Sequence, residues 1–523
     1  MNTTGKKRER WSSRLGIILA MAGSAVGLGN FLRFPVQAAG NGGGVFMIPY
    51  FIAFLLMGVP LVWIEWTAGR YGGSLGHGTT PGIFHSLWRN RWIKYFGIIG
   101  VFSPLVIFVY YIYVESWLLG YAFFSLTGKY LSVASREGLS EFLGAYQGIR
   151  PNEHFSSIWP AYLFFLITFL INMRIMKLGV SRGIERLSRY GMPLLLIMAL
   201  ILMVRVLTLG SPDPARPDWS IWNGMGFLWN PDFSRLLDAR IWLAAAGQIF
   251  FTLSVGIGLI HTYASYMRRD DDVVLSGLTS ASTNEFFEII FGGSLVIPCA
   301  FAFFGPVAIS EIARSGSFNL GFVTMPMIFE KIPFGMFFAT LWFSLLFLAG
   351  ITSSVSIFQP IMAFLEDEFG LTKNRALAIA GTVSFILCQP VIFFLGRGVM
   401  DDLDFWGGTF CLVVLALVET IVFVWIFGVD RAWKEMHHGS DMNIPRFYRF
   451  IIKYVTPALL LVILSVWIRQ EGLNVIMMKN VPPESRPYII GTRIVLLLLL
   501  LALAFMVRAA WRRRKKEDGE GTT

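Results

Sequence analysis

Apolar residues along this chain do not alternate; they run together. Twelve such runs stand out, at about 15–38, 45–69, 95–126, 159–175, 190–209, 241–265, 274–303, 335–364, 375–396, 405–428, 450–468 and 488–510. Each is close to the roughly 20 residues that carry a helix across the hydrocarbon of a bilayer. The pattern predicts an all-α integral membrane protein of about 12 transmembrane helices. The longest connections, about 127–158, 210–240 and 304–334, are too small to be separate domains. One of them carries the Pro-rich turn segment "SPDPARPDW".

Two of the runs are interrupted. The first contains "AGSAVGLGNFLRFP", from Ala22 to Pro35, with three glycines, a serine, an asparagine and an arginine at membrane depth. The sixth contains "FFTLSVGIGLI", so that Val255-Gly256-Ile257-Gly258 echoes Val26-Gly27-Leu28-Gly29. First and sixth are equivalent positions if the first ten spans form two five-helix halves. Five is odd, so the second half enters from the opposite side, as in transporters built from inverted repeats. The division that follows is an N-terminal cytoplasmic segment 1–14, a first repeat 15–209, an extracellular connection 210–240, a second repeat 241–428, two further spans in 429–512 and a cytoplasmic tail 513–523. The tail is charged or small throughout and is expected to be disordered.

Composition agrees with a membrane protein: 55% of the 523 residues are hydrophobic and only 15% charged, and mean hydropathy is +0.61. The N-terminus is basic and polar, without a convincing signal-peptide cleavage site. The net charge of +11 is a topology signal and not a nucleic-acid surface. About 29 of the 44 Lys and Arg residues fall in one alternate set of connections, including the C-terminal "RRRKK", against about 13 in the other. The basic set is assigned to the cytoplasm. Both termini are then inside, and the inner (plasma) membrane is the expected location. Cys299, Cys388 and Cys411 lie within apolar runs, an odd count that fits neither a disulfide framework nor a zinc site.

An unpaired backbone N–H or C=O in hydrocarbon costs several kcal/mol, so irregular backbone survives there only where something pairs with it. Glycines at 27, 29, 256 and 258 permit unwinding. The freed carbonyls suit a hard cation or an ammonium, and the freed N–H groups of a half-helix suit a carboxylate. One site offering both matches an amino-acid zwitterion together with an alkali ion. Asn30, Thr252, Ser254, Asn284, Thr352, Ser353 and Ser354 add neutral oxygens, adequate for a monovalent ion.

The stretch "RLGIILAMAGSAVGLGNFLRFPVQAAGNGGGVFMIPY", with "WIEW", "YYIYVESW", "GQIFFTLSVGIG", "LAGITSS" and "DFWGGT", resembles the neurotransmitter:sodium symporters. The match is near-colinear from about Arg8 through the twelfth run and is nearest to the family's bacterial leucine-transporter members. The resemblance implies a LeuT-type 5+5 inverted repeat with broken helices 1 and 6, and a sodium-coupled amino-acid symporter with two sodium ions. It implies a first sodium site of the Ala25 carbonyl, Asn30, Thr252 and Asn284, completed by the substrate carboxylate. The second would comprise the carbonyls of Gly23, Val26 and Ala349 with the hydroxyls of Thr352 and Ser353. The substrate carboxylate would meet the Leu28–Gly29 amides and the Tyr111 hydroxyl. Its ammonium would meet carbonyls of Ala25, Phe251 and Thr252 and the Ser254 hydroxyl, with Ile107, Ile257 and Ile357 lining the side-chain pocket.

The same resemblance implies gates. Arg33 would pair with Asp404, directly or through water, while Tyr111 and Phe251 close over the substrate. On the cytoplasmic side Arg8 would pair with Asp367 beside Trp11, Tyr266 and Gln359. Glu288 follows Asn284 by one helical turn, where chloride-dependent relatives carry a small hydroxyl residue, so chloride independence is expected. A weaker implication is proton countertransport through Glu288. Two departures bear on substrate choice. Ser24 replaces an Asn of the leucine transporters, and Ile257 replaces a Phe. An apolar amino acid is expected, with leucine, methionine, alanine and aromatic ones all open.

Secondary transport is weighed against a ligand-gated channel or an amino-acid sensor on the same fold. Twin gates and paired ion sites favour a carrier, since a channel needs a continuous pore. No catalytic motif appears, so an enzyme is not expected. His261, beside the interrupted sixth run, reads as a hydrogen-bonded core residue before it reads as a proton-handling one. Sodium, an amino acid and lipid are the expected partners, a homodimer is allowed, and nucleic acid is not expected.

Overall fold

A computed structural model describes residues 9–130, 133 and 135–520, without the side chains of residues 471 and 515–520. The described residues are helical and contain no strand. The first span is a bent pair, Arg14–Ala25 and Gly29–Gly40, angled by 43°. Gly44–Ser74 and Ile93–Thr127 are the second and third spans. The helical run Trp159–Leu207 has 49 residues, about 73 Å at helical rise and too long for one crossing. It divides at Gly179, whose φ of +83° interrupts the helix, into Trp159–Gly179 and Arg186–Leu207. These are the fourth and fifth spans.

The sixth span is again broken, into Ala239–Leu253 and Leu259–Ala264. The seventh, Val274–Arg314, turns at Gly305 (φ +80°), where a Cβ would lie 2.3 Å from Trp219. Gly335–Phe369, Lys373–Phe393, Val399–Ile426, Tyr448–Gln470 and Arg486–Arg514 complete twelve spans among the described residues. Short helices occupy the connections, such as Thr80–Leu87, Arg136–Tyr146 and Ile221–Trp229.

The spans sort by what surrounds them. In the third span 89% of the most apolar window is buried, against 22% in the twelfth. The third and eighth spans pack along each other at the centre, with the Phe108 and Phe358 rings 4.7 Å apart. The twelfth turns Leu498, Leu501 and Phe505 outward, as a helix facing acyl chains does.

One expectation fails at the C-terminus. The last helix does not end in a disordered tail at 513 but continues to Glu520. Lys, Arg and Glu are good helix formers, and the run is pinned to the end of the eighth span. Arg513 donates to the Phe369 carbonyl at 3.0 Å, and Arg514 pairs with Glu368 at 3.0 Å.

The break in the sixth span rests on glycine. Gly256 has φ +73°, and a Cβ there would lie 2.3 Å from the Leu412 carbonyl oxygen. Gly256→Ala should destabilise the fold by about 1–3 kcal/mol from backbone conformation alone, with the clash adding to it. Gly247→Ala, in the preceding half-helix with nothing within 4 Å, should be neutral or stabilising by up to about 1 kcal/mol. Thermal melting of the two purified variants checks the contrast.

Candidate functional site

The helical ladder of the first span ends with Val26 N–H bonded to the Ala22 carbonyl at 2.7 Å. In a continuous helix Gly27 N–H would bond the Gly23 carbonyl. It goes instead to Asn30 Oδ1, at 3.0 Å. The carbonyls from Gly23 to Val26 are therefore the open end of a half-helix. Of these, the Ser24 carbonyl accepts from Ser353 Oγ at 2.9 Å, which ties the first span to the eighth. The chain resumes at Gly29, seated against the Phe251 ring: a Cβ would lie 2.6 Å from it.

The sixth span opens at Ser254, which takes the left-handed conformation at φ +55°. Gly256 N–H is received by Glu65 Oε1 of the second span at 2.6 Å. Gly258, at φ +89°, lies so close to the third span that a Cβ would be 2.4 Å from the Gly100 carbonyl oxygen. The ladder restarts with Thr262 N–H to the Gly258 carbonyl at 3.2 Å.

The two openings meet through three neutral side chains. Asn30 Nδ2 donates to Asn284 Oδ1 at 2.9 Å, and Asn284 Nδ2 donates to Thr252 Oγ1 at 2.8 Å. Asn30, Thr252 and Asn284 are buried to within 2%. The seventh span reaches the first because Gly292 has no side chain; a Cβ there would be 1.9 Å from the Asn30 carbonyl oxygen. This oxygen-rich, carboxylate-free group can hold a monovalent cation.

A second oxygen group lies at the eighth span. Thr352 and Ser353 hydroxyls both reach the Ala349 carbonyl, at 3.0 and 3.1 Å. The Tyr111 hydroxyl and Ser353 Oγ lie within 3.2 Å of the point a Gly27 Cβ would occupy. Leu28, Ile107, Ile257 and Ile357 are all buried, on the elements that bound the breaks. The Ser24 hydroxyl is buried and has no hydrogen-bond partner among the described residues.

Glu288 is buried one turn beyond Asn284. Its carboxyl accepts from Tyr50 Oη at 2.6 Å and from the Gln248 amide. Tyr50 Oη also contacts Glu285. One phenol proton cannot serve two carboxylates, so a second proton must reside in the Tyr50–Glu285–Glu288 group. Neither Tyr50, Gln248 nor Glu285 is singled out by the sequence pattern. The spacing of Glu285 one residue after Asn284 hints at it, but the partners on the second and sixth spans are non-local.

The outer gate residues come together without a direct Arg33–Asp404 ion pair, though Asp404 lies within electrostatic reach of Arg33. Among the described residues no ion pair joins Arg33 to Asp404. The Arg33 guanidinium stacks on the Phe251 ring at 4.0 Å, and Asp404 accepts from Tyr110 Oη at 2.5 Å. An aromatic face and a phenol satisfy groups that the charge pattern alone assigns to each other.

On the opposite side Trp11 Nε1 donates to the Tyr263 carbonyl at 2.9 Å, and its ring meets Tyr263 and Tyr266 edge-on. Gln359 Nε2 donates to Tyr266 Oη at 2.7 Å. Asp367 lies near the end of the eighth span, its carbonyl accepting from Arg514 at 3.0 Å. Arg8 lies outside the described residues. Sequence reading also misses Arg14, which pairs with Asp272 at 3.0 Å and with Asp441, and Glu185, which accepts from Ser12 N–H at 2.9 Å.

The sequence model of the sodium:neurotransmitter symporter family matches residues 8–134 and 154–513. An uncharacterized sodium-dependent transporter of Methanocaldococcus jannaschii is 29% identical over 517 residues, covering 98% of this chain and 99% of the relative. The sodium-dependent nutrient amino acid transporter 1 of Drosophila melanogaster is 25% identical, covering 87% of this chain and 77% of its own length. The crystal structure of MhsT in complex with L-phenylalanine is similar at a TM-score of 0.74 and 29% identity, covering 87% of this chain and 99% of that one.

The Asn30 side chain serves the bare fold as well as any ligand. Asn30→Ala strips Gly27 N–H of its acceptor and Asn284 of its donor. It should lower stability by about 1–3 kcal/mol, read as a lower melting temperature in sodium-free, substrate-free buffer.

Proposed function

Because the chain belongs to the sodium:neurotransmitter symporter family, whose members are sodium-coupled transporters and not enzymes, we propose that it imports a small apolar amino acid by alternating access. The chain is a multi-pass membrane protein with a LeuT-type fold. One observation carries the reading: two broken helices meet through Asn30, Asn284 and Thr252, with open carbonyl ends and no carboxylate among them.

A sodium ion at this junction takes the Ala25 carbonyl, Asn30, Thr252 and Asn284, and the substrate carboxylate completes its shell. A second takes the carbonyls of Gly23, Val26 and Ala349 with Thr352 and Ser353. The substrate carboxylate is held by the Leu28 and Gly29 amides and by Tyr111. The ammonium lies against the carbonyls of Ala25, Phe251 and Thr252 and the Ser254 hydroxyl. Ile107, Ile257 and Ile357 form the apolar wall, and the unpartnered Ser24 hydroxyl is a further contact. Coupling is direct. Without sodium the carboxylate loses a ligand and the pocket keeps unpaired oxygens. The relative bound to L-phenylalanine and the relatives named as nutrient amino acid transporters support this substrate class. A methylene more or less in such a pocket discriminates by only about 10–200-fold, so selectivity is broad.

Arg33 stacked on Phe251, with Tyr111 beneath and Asp404 beside, closes the outer side. Trp11, Tyr266 and Gln359, with Arg8 and Asp367, close the inner side. Glu288 supplies the negative charge that chloride supplies elsewhere, and the protons it shares with Tyr50 and Glu285 give it a route to countertransport. The charge bias of the connections puts both termini in the cytoplasm and the protein in the plasma membrane, where a homodimer is allowed.

In proteoliposomes an inward sodium gradient should drive accumulation of at least one apolar amino acid. No sodium-dependent accumulation of any amino acid would defeat the reading. Thr352→Ala should raise the sodium concentration for half-maximal uptake by about tenfold, the equivalent of about 1.4 kcal/mol. Replacing chloride by gluconate should leave wild-type uptake unchanged. Glu288→Ser should make it chloride-dependent, and a variant still indifferent to chloride counts against the role of Glu288.

A further inference from the structure

Below the break in the sixth span lies a cluster that the transport reading does not use. His261, on the second half of that span, is fully buried. Its Nδ1 is 3.4 Å from Glu65 Oε2 on the second span, and its Nε2 is 3.8 Å from Glu419 Oε2 on the tenth. Both carboxylates are buried to within 1%. The two carboxyl groups touch each other, but among the described residues five atoms here find no hydrogen-bond donor or acceptor beyond the cluster: both ring nitrogens, Glu65 Oε2 and both oxygens of Glu419. So many unpartnered polar atoms converging in one buried place mark a missing occupant.

We propose that Glu65, His261 and Glu419 form a proton-binding site, in which a protonated His261 clamps the second half of the sixth span to the second and tenth spans. Charge and geometry point the same way. Two ionised carboxylates around a neutral ring would leave two uncompensated buried charges, each costing several kcal/mol. A proton on the ring gives both nitrogens an N–H, with Glu65 within ion-pair distance of one and Glu419 of the other. The three groups also offer ligand atoms within 4.8 Å of one another, a spacing that admits a divalent metal as well, and melting with added Zn²⁺ or Mn²⁺ separates the two.

No other described charge faces the ring. The second span also carries Arg70, but its guanidinium is engaged by the Asp271 and His438 carbonyls, at 2.6 Å each, and by Glu435. The helix Thr80–Leu87 presents the edge of Phe84, 6.1 Å between centroids. The eighth span meets this half-helix through Ser356 on Tyr263, the first through Trp11 on the Tyr263 carbonyl, and the third through the Gly100 backbone at Gly258.

The site reports to the substrate side through Glu65, whose other oxygen receives Gly256 N–H in the unwound stretch. Loss of the proton leaves Glu65 and Glu419 repelling each other and loosens the residue that holds the break open. This proton is distinct from any held at Glu288.

The test is thermal melting of the full-length protein in detergent, from about pH 5 to about pH 9. Melting needs no substrate, so its outcome is independent of the amino acid carried. Wild type should show a step in which melting temperature falls as pH rises and the clamp loses its proton. His261→Gln should lack that step. Glu419→Gln, with one carboxylate fewer to favour the cation, should move it toward acid by about one to three pH units. If His261→Gln does not fold, Glu419→Gln decides alone. A step unchanged in His261→Gln, or unmoved in Glu419→Gln, overturns the proposal. So does Zn²⁺ or Mn²⁺ raising the melting temperature of EDTA-treated wild type but not of His261→Gln, which would make the cluster a metal site.

Discussion

A backbone that opens inside hydrocarbon must find partners for the groups it frees, and this requirement organises the whole interior. Several of the opened backbone groups are met by side chains. Asn30 receives Gly27 N–H and Glu65 receives Gly256 N–H, while Ser353 donates to the Ser24 carbonyl. Each partner in turn fixes a neighbour. Asn30 is bound to Asn284 and Asn284 to Thr252, so three spans share one hydrogen-bonded chain. The glycines at 256, 258 and 292 bring backbone against backbone, which leaves no room for water to substitute for these bonds.

The same requirement separates the interior by charge. The junction of the two breaks is built from amides, hydroxyls and carbonyls, suited to an ion that must be released in every cycle. Buried carboxylates flank it, at Glu65 and Glu419 and at Glu285 and Glu288. Glu288 touches Thr252, Glu285 touches Asn284, and Glu65 receives Gly256 N–H, so each reaches the rim of the junction.

Much of this was legible in the sequence, because membrane spans and their interruptions are local signals. Span lengths follow from bilayer thickness, and Gly27, Gly29, Gly256 and Gly258 announce their breaks by composition alone. What was not legible is pairing across spans. Nothing within a few residues of Glu65 points to His261, and nothing near Arg33 says that Phe251 rather than Asp404 lies under its guanidinium. Cation–aromatic and cation–carboxylate partners can serve one buried arginine together, and here Phe251 is in direct contact while Asp404 acts through space. The C-terminal helix was misread for a related reason. Its charges look like a solvated tail until the end of the eighth span supplies carbonyls and Glu368 for Arg513 and Arg514.

The breaks also divide each helix into halves with separate attachments. The first half of the opening span is held by Asp272 and Asp441 through Arg14, and its approach by Glu185 through Ser12 and by Tyr263 through Trp11. The second half is held by the seventh span at Gly292 and by the Phe251 ring. The sixth span divides likewise: Phe251 and Gln248 belong to its first half, Tyr263 and His261 to its second. First half of one and second half of the other are therefore bonded together, and so are the remaining two. The halves are linked through open backbone at residues 26–28 and 254–258, where Gly27 and Gly256 carry no side chain to resist rotation. The polar groups that make such a joint stable in hydrocarbon are the same ones proposed to bind the cargo, and on that reading motion and binding depend on each other.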